Sequence, residues 1–269
     1  MYGAIDVGGT KTLIAVFDDT QNKVAEQKFA TPKLYDDFVG ELASQSSSLP
    51  QKNFKRIVAA LPGKIDRKHG RGIAFGNLPW ENISAQRDIE RIFHAPTSLE
   101  NDANLAGLSE ALLVRKKYRK VVYITVSTGI GGVMIVDGKI DENTQDAEFG
   151  HMLLEHKGAL RRWQEFASGK AIVARTGKKA SDIPKDDTLW YGIARNIAIG
   201  LIDVVANLTP DAVIFGGGVG SHFDKFKGHL NEQMKIYDNP MISLPVLLGA
   251  KRAEEAVIYG CYDYAKSLE

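Results

Sequence analysis

The sequence lacks the features that mark secreted, membrane-bound and nucleic-acid-binding proteins. Cys261 is the only cysteine among 269 residues, which excludes an internal disulfide and a metal site built from several thiolates of one chain. Lysine plus arginine (34) nearly equals aspartate plus glutamate (33), so the net charge favours neither nucleic acid nor a membrane surface as partner. No uninterrupted apolar run approaches the roughly 18 residues of a membrane helix, and Met1 leads into a strand-like run without a basic, apolar leader. We therefore expect a cytoplasmic protein.

The composition is that of a globular protein with enough material for two packed lobes. Hydrophobic residues make up 44% and charged residues 25% of the chain. Apolar residues at helical spacing predict helices at residues 35–49, 193–208 and 253–266. The basic segment Arg115–Lys120 is interpreted as a solvated helix end, with a track for a polyanion as the alternative.

A strand, a glycine turn and a second strand open the chain. The first strand leads into Asp6, and the turn that follows contains Gly8, Gly9, Thr10 and Lys11. Glycine lets backbone N–H groups approach a phosphate closely, although a hairpin turn with no ligand has the same signature. Asp6 is harder to explain structurally, because a carboxylate at the end of a buried strand costs desolvation unless it is paired or near a metal ion.

The same theme returns later in the chain. An apolar strand at 121–126 leads into a turn with Thr128 and Gly129, and a second strand follows to Val136. The chain therefore reads as two related halves, each with one phosphate turn. A further strand, 212–215, ends in Gly216, Gly217 and Gly218, which permit close approach of a base or a phosphate.

Asn101 and Asp102 lie where a predicted strand gives way to a helix. Asp and Asn are favoured N-cap residues, so capping is the simplest interpretation of the pair. In open α/β sheets, however, ligands bind at this edge, and glycine turns flank the pair in the sequence. A carboxylate between two phosphate turns suggests phosphoryl transfer.

Several other polar or aromatic residues lie in predicted loops. Trp80 is interpreted as a core anchor rather than a ligand platform. Glu148 and His151, three residues apart, are able to bind sugar hydroxyls, accept a proton or ligate a metal, whereas a zinc site with Glu155 and His156 lacks supporting thiolates.

The motifs together resemble the ROK family of sugar kinases and repressors. In chain order they are DVGGTKT, LPGKID, NDANLAGLSEA, STGIGG, EFGH, SGKAI and FGGGV. The resemblance covers nearly the whole chain and implies the actin-like ATPase (ribonuclease H-like) fold, with two duplicated α/β lobes and a cleft between them. It places the N-terminal lobe at residues 1–105 plus 253–269 and the C-terminal lobe at 106–252.

The resemblance also implies a role for individual residues. Asp102 is similar to the family's catalytic base, and Asp6 to the residue that holds Mg²⁺ through water. The residues that resemble sugar ligands are Gly63, Asn77, Asn101, Asp102, Glu148, His151 and Gln164. Those that resemble nucleotide or phosphate ligands are Asp6, Gly8, Gly9, Thr10, Lys11, Thr128, Gly129, Gly216, Gly217 and Gly218.

The chain departs from the family pattern in two places. The stretch after the Glu-x-Gly-His motif has no cysteines, so no zinc is expected and packing around Trp163 must hold the sugar loop. The family's next sugar-binding glutamate falls on Gln164, unless a shift of one residue brings in Glu165.

These observations predict an ATP- and Mg²⁺-dependent hexose kinase acting on the 6-hydroxyl, with a homodimer suggested by the resemblance. The alternative is a glucokinase that uses polyphosphate instead of ATP as the phosphoryl donor, since zinc-free members of the family include such enzymes. A non-catalytic sugar-binding regulator is the alternative of another class. It is disfavoured because Asp102 is present and because the family's repressors carry a helix-turn-helix before the first strand.

Overall fold

The computed structural model describes residues 1–49, 53–252 and 254–269, and the chain divides into two compact units. Unit 1 comprises Met1–Ser109 and Glu255–Glu269, and unit 2 comprises Glu110–Glu254. The sequence places the two divisions at 105/106 and 252/253; Ala253 lies outside the described residues.

Unit 1 contains a five-stranded sheet and a smaller three-stranded sheet. Its strands are β1 (Tyr2–Val7), β2 (Lys11–Phe17), β3 (Lys23–Ala30), β4 (Arg56–Leu61), β5 (Lys64–Asp66), β6 (Arg71–Ala74), β7 (Glu81–Ile83) and β8 (Thr97–Asn101). Its first helices are α1 (Tyr35–Ser47), α2 (Ala85–Phe93) and α3 (Asp102–Val114), the last of which ends in unit 2. The large sheet has the order β3-β2-β1-β4-β8, and β5, β6 and β7 form the small one.

The burial of each strand explains its place in the large sheet of unit 1. Strands β1 and β4 are apolar along nearly their whole length and are buried on both faces, as central strands are. Strand β3 alternates between exposed and partly buried positions, which is typical of an edge strand with one solvated face.

Unit 2 repeats this plan. Its strands are β9 (Lys120–Val126), β10 (Ile130–Val136), β11 (Lys139–Ile140), β12 (Leu153–His156), β13 (Ala159–Arg162), β14 (Ala212–Gly216) and β15 (Val246–Gly249). Its helices are α4 (Trp163–Ala167), α5 (Gly169–Thr176), α6 (Leu189–Leu208), α7 (Gly217–Gly220) and α8 (Phe223–Lys235), with 3₁₀ turns at Phe149–His151 and Ala180–Asp182. The final helix, α9 (Ala256–Ser267), belongs to unit 1.

The two large sheets have the same strand order and directions. In unit 2 the order is β11-β10-β9-β14-β15, which matches β3-β2-β1-β4-β8 strand for strand. In each sheet the first three strands are antiparallel and the last two run parallel to the first strand of the unit. The prediction of two duplicated α/β lobes is therefore confirmed.

Helix α6 is long and apolar enough, by length and composition, to cross a membrane. Half of its most apolar window is buried inside the protein. Ile193, Ile197 and Leu201 recur at helical spacing and pack into the core of unit 2, which accounts for the apolar composition of this helix.

Some predicted element bounds differ from those observed. The basic segment Arg115–Lys120 directly follows the end of α3 at Val114; its residues 115–117 form an exposed turn, and Lys120 already begins β9. Trp80 is 3% exposed and packs on Phe38, so its interpretation as a core anchor is confirmed.

Candidate active site

Asp102 lies at the first position of α3, directly after strand β8. One of its carboxylate oxygens accepts a hydrogen bond from the Ala103 N–H at 2.8 Å. Asn101 also caps the helix, since its Oδ1 accepts from the same N–H at 2.9 Å, and its Nδ2 donates to the Gly63 carbonyl at 3.2 Å. Helix capping at this junction is therefore compatible with the role as a base that the sequence analysis expects of Asp102.

Asp6 lies within electrostatic reach of Asp102. Both residues are at the carboxyl ends of parallel strands, β1 and β8, with β4 between them. Burial, together with the charge of Asp102, raises the pKa of Asp6 to about 7, against a smaller lowering by Lys28. A buried carboxylate beside a second carboxylate suits a divalent cation, because the cation would relieve both the repulsion and the desolvation.

The first glycine turn lies beside Asp6. The Gly8 N–H donates to the Lys11 carbonyl at 2.9 Å and closes the turn. A methyl group at Gly9 would come within 2.8 Å of the Asn77 Cβ, so Asn77 packs directly against this turn. The side chains of Thr10 and Lys11 are exposed at its tip.

Gly63 needs to be glycine for two reasons. Its φ of +132° is a backbone conformation that residues with a side chain rarely adopt, and an added Cβ would collide with the Ala74 carbonyl of β6. The structure therefore brings together Asp6, Gly8, Gly9, Asn77, Gly63, Asn101 and Asp102 in unit 1, at the edge where the parallel strands end.

Unit 2 contains a cavity of about 650 Å³ behind its glycine turn. It is lined by Ser127, Thr128, Gly169, Lys170, Val173, Ala174, Lys179, Ala180, Ser181, Gly218 and Val219. Of these, the sequence singled out Thr128 and Gly218. The wall made by α5 and the 3₁₀ turn at Ala180–Asp182 was missed, although the SGKAI motif marks where that wall begins.

The start of α5 packs on the glycine turn of unit 2. Ser168 caps α5 by accepting from the Ala171 N–H at 3.3 Å, and the Gly169 N–H donates to the Ser127 carbonyl at 2.6 Å. A helix N-terminus beside a turn of small residues is a favourable place for an anion.

Gly216 and Gly217 pass close to strand β9. A Cβ at Gly217, whose φ is +76°, would lie 2.8 Å from the Val126 carbonyl oxygen and 2.5 Å from Thr125 Oγ1. A Cβ at Gly216 would collide with the Tyr123 side chain. A Cβ at Gly218 meets nothing within 4 Å, so this glycine faces open space at the cavity.

His151 and Gln164 are neighbours in unit 2. The Gln164 amide nitrogen lies 3.1 Å from His151 Nε2 and donates to it. Methyl groups at Gly129 and Gly150 would come within 2.8 and 3.0 Å of Gln164 Oε1, so the amide lies between the glycine turn of unit 2 and the Glu148–His151 turn.

Glu165, the alternative to Gln164 in the sequence analysis, does not face His151 but hydrogen-bonds to the backbone. Its carboxylate accepts from the Arg162 N–H at 3.1 Å at the start of α4. Trp163 is fully buried, donates from its indole to the Asn196 carbonyl at 3.1 Å and occupies the space left by Gly200.

Glu155 and His156 do not converge on a ligand. Glu155 accepts from the Gly158 N–H at 2.6 Å, whereas His156 stacks on Phe166 with ring centroids 4.2 Å apart. Across residues 1–49, 53–252 and 254–269, no group of three or more His, Cys, Asp or Glu side chains is arranged to hold a metal ion.

The repeated sheets, each with a glycine turn after its first strand, define the actin-like ATPase fold. The ROK hexokinase from Thermus thermophilus has this fold, with a TM-score of 0.81, 26% sequence identity and 99% of each chain covered.

The family model described as "ROK family" matches residues 2–267, and the chain belongs to that family. A fructokinase from Lactococcus lactis subsp. cremoris is 27% identical over 234 residues, covering 81% of this chain and 79% of the relative. A glucokinase from Streptomyces coelicolor is 26% identical over 305 residues, covering 97% and 96%. Both of these relatives are named as sugar kinases.

Proposed function

We propose that the chain is an ATP-dependent kinase that phosphorylates a hexose at its 6-hydroxyl in the cytoplasm. The observation that carries the proposal is that Asp6 and Asp102 lie together at the carboxyl ends of the parallel strands β1 and β8 of a mixed sheet, where one carboxylate suits a cation and the other suits proton uptake. The ROK family match and the names of the relatives support the same reading.

In this proposal Asp102 is the general base. The hexose hydroxyl oxygen attacks the γ-phosphorus of ATP, the bond from that phosphorus to the β–γ bridging oxygen breaks, and the hydroxyl proton passes to Asp102. The hydrogen bond from the Ala103 N–H holds the Asp102 carboxylate in one orientation for that transfer. Such catalysis consists mainly of positioning and charge neutralisation.

Asp6 is the residue that would hold Mg²⁺ in unit 1. Its half-buried carboxylate beside Asp102 fits this role, as its raised pKa indicates. The ion would supply positive charge to the transferred phosphoryl group. The glycine turn at Gly8 and Gly9 would offer backbone N–H groups to the phosphates.

In unit 2, we assign the cavity behind Thr128 to the nucleoside of ATP. Val173, Ala174 and Val219 give it apolar walls that suit a planar base, and Lys170 and Lys179 add positive charge. His151, Glu148 and Gln164 offer hydrogen bonds to sugar hydroxyls. A polyphosphate chain would leave the apolar part of this cavity unused, so ATP is the preferred donor.

The test is ADP release by the purified protein with Mg²⁺ and each of glucose, fructose, mannose and two N-acetylhexosamines, against a control without sugar. Release stimulated by one hexose, and absent with its 6-deoxy analogue, would support the proposal. Sugar phosphate formed from polyphosphate but not from ATP would replace the donor. Silence with both donors across the panel would overturn the kinase assignment.

A further inference from the structure

We propose that Glu100 is a positioning residue for Asp102: its buried carboxylate, fixed by Arg67, sets the conformation of the junction between β8 and α3. The inference rests on the proposed function, in which Asp102 is the base.

The carboxylate of Glu100 is fully buried and paired with one arginine. Glu100 is 0% exposed, and its Oε2 accepts from Arg67 Nε at 2.8 Å while its Oε1 accepts from Arg67 Nη2. The Arg67 side chain is 21% exposed and lies directly after β5. This two-bond geometry fixes the plane of the carboxylate as well as its position.

The same carboxylate holds the chain on both sides of Asp102. Its Oε1 accepts from the Asn101 N–H at 2.7 Å and from the buried Asn104 side chain at 2.9 Å. Asn101 is in turn bonded to the Gly63 carbonyl, just before β5. The small β5–β7 sheet is therefore tied to the junction at two points, through Arg67 and through Gly63.

Stability alone is a weak explanation for this arrangement. A buried ion pair costs desolvation, and apolar side chains of similar size often stabilise a fold as well or better. What the pair provides is a fixed geometry at the residues beside Asp102. A displacement of about 1 Å at a reacting group costs roughly 10²-fold in rate, so a small change here is expected to reach the chemistry.

The kinetic test uses Glu100→Gln and Arg67→Lys, with Asp88→Asn as the matched control. Asp88 is also a buried carboxylate of unit 1 with arginine neighbours, but it bonds Tyr35 at 3.1 Å and Arg87 at 3.4 Å instead of the junction. With the sugar and nucleotide that the wild type uses, we expect kcat to fall about 10- to 100-fold in Glu100→Gln while KM for the nucleotide stays within about twofold. Arg67→Lys keeps the charge but not the two-bond geometry, and should retain an intermediate kcat.

Asp88→Asn should lose stability without losing kcat. Wild-type kcat in folded Glu100→Gln, with only a lowered Tm like that of the control, would overturn the proposal. If Glu100→Gln does not fold, Arg67→Lys carries the same comparison.

Amide hydrogen exchange supplies a readout that does not need activity. Exchange at residues 101–104 should be faster in Glu100→Gln and Arg67→Lys than in the wild type and in Asp88→Asn. A wild type that forms sugar phosphate from neither ATP nor polyphosphate would defeat the proposed function, and exchange would then decide alone whether Glu100 holds the junction. Unchanged exchange at these amides would overturn the inference in either case.

Discussion

The first strand of each unit carries a different polar side chain at the same place in its sheet. In unit 1 that residue is Asp6, which pairs with Ala60 of the parallel neighbour β4. In unit 2 it is Thr125, which pairs with Gly216 of the parallel neighbour β14. Each is the last residue of its strand in that parallel ladder, and a glycine turn follows each strand. One backbone plan thus presents a carboxylate in one unit and a hydroxyl in the other.

The surroundings of these two residues also differ between the units. Asp6 has the charge of Asp102 within reach, which contributes to its raised pKa. Thr125 has the backbone of Gly217 beside it and a cavity with apolar walls behind the next turn. The duplicated sheet fixes where a candidate site is placed, and a few side chains decide whether its surroundings are acidic, as in unit 1, or largely apolar, as in unit 2.

The largest effect is expected from Asp102→Asn in unit 1. An amide cannot take up the hydroxyl proton, so kcat should fall about 10²- to 10⁴-fold, while sugar binding measured by calorimetry and the thermal unfolding curve stay close to those of the wild type. Near-normal turnover in this variant would remove Asp102 from the mechanism.

Asp6→Asn should act in two opposite ways. Loss of the carboxylate is expected to lower Mg²⁺-dependent turnover about 10- to 100-fold. The pKa of Asp6 rises from 3.8 to about 7 on folding, so its ionised form destabilises the folded state increasingly from pH 4 upward and fully above pH 7. In EDTA the variant should therefore have a higher Tm than the wild type at pH 8, and a smaller advantage at pH 5.

Thr125→Val is the matched change in unit 2. It removes a hydroxyl with almost no change in volume, and neither the Mg²⁺ dependence nor the pH dependence of Tm should respond. A response as large as that of Asp6→Asn would break the comparison between the units.

Gly217→Ala should be a smaller change, seen mainly in stability and in KM for ATP. At φ +76° the new methyl is strained and meets the Val126 carbonyl, for a cost of about 1–3 kcal/mol in the free energy of unfolding. Gly218→Ala is the control, because its methyl meets nothing within 4 Å, and chemical denaturation should find it as stable as the wild type. Equal stability of the two variants would contradict the turn geometry.

The smallest effect is expected from Gln164→Glu. A carboxylate at this place cannot donate to His151 Nε2 as the amide does, so the His151 imidazole resonances should shift in an NMR spectrum recorded at one fixed pH. Glu165→Gln should leave those resonances unchanged, because Glu165 faces the Arg162 N–H. His151 resonances that do not respond to Gln164→Glu would show that the two side chains are apart in solution.

Local signals in the sequence predicted much of the fold and part of the candidate site. Glycine turns after apolar runs, repeated at similar spacing, indicated the duplication, and Asp102 was found because a carboxylate between a strand and a helix is a short-range pattern. These features depend on residues close together in the chain, which is why a sequence displays them.

Other features depend on contacts between distant segments and left no local signal. Arg67 and Glu100 are 33 residues apart, and each alone looks like an ordinary polar residue of a loop or a strand end. The cavity wall at Lys179–Ser181 likewise has no motif of its own. Its place is set by packing of the chain after α5, which spacing cannot reveal.

Helix α9 has a consequence for the order in which the protein is made. It packs Cys261 and Ala265 against Tyr2 and Leu105 in unit 1, and Gly260 passes so close to the Leu105 carbonyl that a methyl group there would collide with it. Yet α9 follows all of unit 2 in the chain. On the ribosome, unit 2 is complete in sequence while the unit 1 sheet still lacks α9. The half that contains Asp102 is thus the last to be completed, and a chain cut short before α9 lacks the partner against which Leu105 of α3 packs.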